Sequence, residues 1–70
     1  MTNPELKPTS AQCQQSAMKS LANADALITQ ARQHLEVMSP LMKNSEAYGD
    51  MIKLSRKLNE VLAKVNGLTI

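Results

Sequence analysis

The stretch SPLMKNSEAYGD, Ser39 to Asp50, interrupts a chain whose apolar residues otherwise recur at helical spacing, and its reading decides the fold. Pro40 disfavours helical geometry at Ser39, so a helix arriving from the N-terminal side is predicted to end near Met38. A second helix must begin somewhere inside the stretch. Ser39 and Pro40 offer an N-cap and a first helical residue, Ser45 offers a later cap, and a break at Gly49 would let Asp50 serve. A glycine inside a helix costs about 1 kcal/mol against alanine. That cost favours a short helical turn from Pro40 to Tyr48, leading into a firm helix from Asp50 to Asn66.

On the N-terminal side, Thr9 stands three residues before Gln12, the spacing of a capping box, and starts helix one near residue 10. Residues 1–9 hold Pro4 and Pro8 without apolar periodicity and read as a flexible arm. From there a seven-residue repeat runs through Leu21, Ile28 and Leu35, with Ala17, Ala24, Ala31 and Met38 on a strip beside it. The second helix carries Met51, Leu58 and Val65 beside Ala47, Leu54 and Val61. Asn66 and Gly67 follow, where a left-handed glycine would close the helix and fold Leu68 back onto Leu62.

A short connection makes the helices antiparallel neighbours. The expected fold is all-α: an antiparallel hairpin over residues 10–70, with helix one at about 10–38, a corner at 39–49 and helix two at about 50–66. Its predicted core is Ala17, Leu21, Ala24, Ile28, Ala31 and Leu35 against Leu54, Leu58, Val61 and Val65. Ala31 should face Met51 or Ile52, Ala24 should face Leu58, and Ala17 should face Val65.

Seventy residues are few for a self-sufficient core. Natural chains of this size add disulfides, a metal or association. Cys13 is the single cysteine and His34 the single histidine, so an internal disulfide is excluded and a four-ligand zinc site would need a second chain. Association is left, and the sequence supplies surface for it. Met18, Leu27 and Val37 flank the first repeat, and Leu41, Met42, Tyr48, Ile52 and Leu62 flank the second. Pairing into a four-helix dimer would cover such residues. Met38, Leu41, Met42, Tyr48 and Met51 gather at the corner end, where flexible thioethers beside a phenol form a candidate partner-binding patch. Ile52 and Leu62 extend it along helix two.

Charge is evenly balanced before residue 41, with three residues of each sign, whereas residues 41–70 carry five basic and three acidic. Lys43, Lys53, Arg56, Lys57 and Lys64 form a candidate nucleic-acid face. A net charge of +2 and the absence of interleaved aromatics make a solvated helix face the stronger reading. The dispersed acidic residues and lone His34 offer no convergent catalytic group, so no enzyme activity and no cofactor is expected. Nothing approaches membrane-spanning length. An unpaired thiol and an opening without a secretory apolar run predict a cytoplasmic protein.

In form, the expected hairpin resembles several kinds of small bacterial or phage helical hairpin, namely dimeric RNA-binding regulators, co-chaperones of secretion systems and short antagonists of a host protein, although no residue motif carries the likeness. The sequence-based expectation is a non-enzymatic protein-binding module, working as a homodimer. A small nucleic-acid-binding dimer and a subunit of a helical assembly are the alternatives.

Overall fold

The computed structural model describes residues 9–69. The arm expected over 1–9 lies, up to residue 8, outside the described residues, as does Ile70. The fold is an all-helical hairpin. Helix α1 spans Ser10–Met38, a 3₁₀ turn spans Pro40–Asn44, and helix α2 spans Glu46–Asn66; among the described residues there is no strand.

Local chemistry explains each boundary. The capping box is formed: the Thr9 side chain accepts from the Gln12 amide at 3.1 Å, and Gln12 Oε1 accepts from the Thr9 amide at 2.8 Å. At the far end of α1, Ser39 is extended and its amide donates to the Leu35 carbonyl. The Ser39 hydroxyl then accepts from the Leu41 amide, which starts the 3₁₀ turn with Pro40 in first position. Proline suits that place, because its missing N–H would have been unpaired anyway.

Helix α2 begins earlier than the preferred reading of the sequence. Ser45, the second of the three caps considered, is the one used. Its Oγ donates to the Met42 carbonyl at 2.6 Å and accepts from the Tyr48 amide at 3.2 Å, tying the turn to the helix in both directions. Gly49 therefore sits inside the first turns of α2 and marks no break. A methyl group placed there would meet nothing within 4 Å. Gly49→Ala is accordingly expected to stabilise the fold by about 1 kcal/mol, read as a higher urea midpoint by circular dichroism. A lower midpoint would mean that the glycine has a packing role.

The C-terminal cap also differs from expectation. Gly67 has φ −84° and ψ −2°, right-handed values open to any residue. The Gly67 amide donates to the Ala63 carbonyl and the Leu68 amide to that of Val65, and the other helix adds a side-chain cap. Gln14 Nε2 donates to the carbonyl of Val65 at 2.6 Å and lies 3.3 Å from those of Asn66 and Leu68. One amide thus serves carbonyls that the end of α2 leaves without intrahelical partners. Leu68 remains exposed and lies beside Cys13, Ala17 and Val65, so the expected contact with Leu62 is not its setting.

The seam between the helices holds Leu21, Ile28 and Leu35 of α1 and Met51, Leu58 and Val65 of α2, all half-buried. Beside them run Met18, Asp25 and Arg32 on α1, and Tyr48, Ser55 and Leu62 on α2. Ala24, Ala31 and Val61 are half-buried, as expected of core residues, but Ala17 is exposed and Leu54 is 46% exposed. Two of the ten core assignments are therefore corrected. A heptad marks two strips on a helix, and a single neighbour cannot cover both equally. Hydrogen bonds from Gln14 to the end of α2 and from Tyr48 to Glu36 link the helices at their two ends. Those links favour the rotation that turns Ala17 and Leu54 outward.

No described residue is fully buried, and the Cα envelope is 10 Å in its thinnest dimension, one layer of helices. The hairpin is a slab with two broad faces.

Candidate partner-binding surface

The two faces of the slab differ in chemistry. On one, Asp25, Thr29 and Arg32 of α1 meet Ile52, Ser55, Arg56, Asn59 and Glu60 of α2 around an open groove of about 660 Å³. Asn59 Nδ2 reaches Asp25 Oδ2 at 3.4 Å and the Ser55 carbonyl at 2.8 Å. Asp25 Oδ1, Arg32 Nε and Ser55 Oγ are shielded from solvent with no hydrogen-bond partner. Groups of that kind oppose stability, because they lose water without replacing its hydrogen bonds.

The opposite face is mixed, with exposed Asp50 and Lys57 on the strip of Leu54 and Val61. Helical geometry carries Ala17, Ala24, Leu27 and Ala31 to the side of α1 away from Asp25 and Thr29, and Ala47, Leu54 and Val61 to the side of α2 away from Ile52 and Asn59. Leu27 and Leu54 are 54% and 46% exposed there. At the open end of the hairpin this face continues into a cleft of about 390 Å³ between Cys13, Ala17, Val65 and Leu68.

The corner is held by a polar clasp. Tyr48 Oη donates to Glu36 Oε1 at 2.7 Å, Lys43 Nζ approaches the same oxygen at 3.9 Å, and the Arg32 guanidinium lies 5.8 Å from the Tyr48 ring centre. The hydrogen bond to the Glu36 carboxylate holds the phenol above its usual pKa of 10.0, against the opposing pull of Arg32. Since the folded state favours the neutral phenol, this contact supports the fold below pH 10 and is lost as pH rises through the raised value.

Of the partner-binding residues read from the sequence, Met38 and Leu41 are each 72% exposed, while Met42, Tyr48, Met51, Ile52 and Leu62 are half-buried by the hairpin itself. The patch is smaller than expected, because seam and clasp use most of its members. Val37, 85% exposed, joins Met38 and Leu41 at the tip. Its position next to Met38, just before the break at Ser39, was the signal for it.

The basic residues do not converge. Lys57 pairs with Glu60 at 3.6 Å and Lys43 with Glu36, while Arg56 turns to the polar groove. Lys57, at three- and four-residue spacing from Leu54 and Val61, lies on the face opposite the groove, with Lys53 and Lys64 towards its edge. Cys13 and His34 are exposed. Among the described residues there is no group of three His, Cys, Asp or Glu placed to hold a metal, and no helix is long and apolar enough to cross a membrane.

Comparison with protein-family models, curated proteins and solved structures finds no match to this chain.

Proposed function

We propose that this protein is a non-enzymatic binding module: a helical hairpin that pairs with itself and regulates or shields a partner protein through its corner. One observation carries the reading. Among the described residues no side chain is fully buried, and Val37, Met38 and Leu41 stand together in water at the tip, where exposed apolar surface marks association. Val37, Met38 and Leu41 form the partner contact. The 3₁₀ turn and the Glu36–Tyr48 clasp hold them in place, so little ordering entropy is lost on binding.

Affinity capture with the intact chain tests the reading when run beside two variants that leave the seam untouched. Met38→Ser with Leu41→Ser is expected to lose the captured protein. Lys53→Glu with Lys57→Glu, on the basic strip, is expected to retain it. Unchanged yield from the first variant would sink the tip as the contact. Nucleic acid recovered with the intact chain and lost only with the second would favour the alternative class.

A further inference from the structure

Resting on the reading that the module pairs with itself, we infer that the second copy occupies the polar groove. A two-fold axis across the helices relates the copies, so that Asp25 of each pairs with Arg32 of the other and the two Ser55 hydroxyls meet on the axis.

Register sets the geometry. The bonds from Asn59 to Asp25 and from Tyr48 to Glu36 fix which levels of α1 and α2 lie side by side. Four residues on from Asp25 and four back from Asn59, Thr29 stands beside Ser55, and both line the groove. Arg32 lies seven residues beyond Asp25 on the same strip of α1, about 10 Å along the axis. Ser55 is therefore close to midway between them. Along the groove the order is a carboxylate that accepts, a hydroxyl that can do both, and a guanidinium that donates.

Each of these three side chains holds an atom without a hydrogen-bond partner among the described residues: Asp25 Oδ1, Ser55 Oγ and Arg32 Nε. Neither Asp25 nor Arg32 is in an ion pair among those residues. Within one hairpin the two charges stand two turns apart, beyond the three- and four-residue spacing at which helix neighbours pair. Reversing the order supplies the complement. A two-fold axis across the helices at the level of Ser55 makes that reversal, stacking α1 on α1 and α2 on α2. Asp25 then faces Arg32 of the second copy, twice by symmetry, as a charge-assisted pair, and one Ser55 hydroxyl donates to the other. The side chains are only half-buried and reach the mouth of the groove by rotation about their own torsions. An axis along the helices would keep every residue at its own level. It would set Asp25 against Asn59 of the second copy and leave Arg32 against Ile52, with no carboxylate for either guanidinium.

At the outer edge of the groove, Arg56 comes near its own counterpart, and Glu60, one turn away on each copy, offsets the like charge. The groove is thus a site that only a second copy completes. Polar groups that weaken one hairpin gain partners in two, and the order of charges sets the register of the pair. The corners then lie at opposite ends of the dimer, about 35 Å apart, and each end presents one set of Val37, Met38 and Leu41 to a partner protein.

Sedimentation equilibrium over a dilution series tests the pairing. Asp25→Arg and Arg32→Asp are each expected to raise the dimer dissociation constant about tenfold or more, and the double swap to return it to within about threefold of wild type. Single swaps without effect, or a folded double swap as weak as either single, would overturn the groove while leaving self-pairing intact. A wild-type monomer at every concentration would overturn self-pairing itself. Where a swap lowers the helical content seen by circular dichroism, the milder Ser55→Cys in a Cys13→Ser background decides. Oxidised with diamide, it is expected to form a disulfide-linked dimer faster than Leu54→Cys in the same background, although residue 54 is the more exposed. Linking at an equal or lower rate would overturn the axis. Spin labels on Asn44→Cys in that background are expected about 35 Å apart, and a separation under about 20 Å, two helix widths, would place both corners at one end and overturn it as well.

Discussion

Leu58→Ala is expected to lower hairpin stability by about 2 kcal/mol, the lower end of the range for truncating a core leucine, since Leu58 is half-buried rather than fully enclosed. A core this small supplies no more than about 3–5 kcal/mol, so the variant should keep about 1–3 kcal/mol and unfold at a much lower urea midpoint. The informative comparison is Leu54→Ala. Both leucines stand on the heptad, but Leu54 faces outward, and at dilutions where the chain is monomeric its loss should cost well under 1 kcal/mol. Urea unfolding followed by circular dichroism separates the two. Equal costs at high dilution would mean that α2 is rotated as the sequence repeat alone suggests.

Replacing Asp25 and Ser55 together by leucine should act in the opposite direction and, at the same high dilution, raise hairpin stability by about 2–4 kcal/mol. Each substitution removes a shielded polar atom without a partner, and the desolvation cost of such an atom is about 1–3 kcal/mol. Each also adds apolar area at a place beside the seam, where burial is worth about 25 cal/mol per Å². Asp25→Asn serves as a control that keeps the shape and removes only the charge. The gain should come at the expense of a defined assembly. With leucines in the groove, more apolar surface is open to association, and sedimentation should show larger species than wild type. A double variant that is less stable than wild type at that dilution would mean that Asp25 and Ser55 are satisfied within the hairpin itself.

These two results bear on one design. On this expectation the chain keeps polar side chains at two positions where leucine would hold the hairpin more firmly. The proposed dimer gives that cost a purpose, since polar groups at otherwise apolar positions are an established means of limiting the number of partners.

Much of the architecture was legible in the residues. The capping pair Thr9 and Gln12, the stop before Pro40 and the recurrence of Leu21, Ile28 and Leu35 follow from local chemistry and helical period, and an antiparallel hairpin follows from the short connection. The true start of α2 is within reach as well: Ser45 is one of three candidate caps, and a serine that bonds in two directions outweighs the cost of Gly49 inside the helix.

What the sequence did not determine is the rotation of each helix about its own axis. Heptad spacing marks Ala17 and Leu54 as apolar strip residues, and no local signal says whether a strip meets the hairpin partner or faces away from it. That choice belongs to contacts between residues far apart in the chain: Gln14 closing the end of α2, Tyr48 bonded to Glu36, and Asn59 reaching Asp25. Residues such as Met42 and Ile52, apolar and apparently free when read in order, are taken up by the hairpin, while Val37 is left in water at the tip. Period and capping act within a few residues and could be read from the chain; which apolar surface stays uncovered depends on how two helices turn toward each other, and only the tertiary structure decides that.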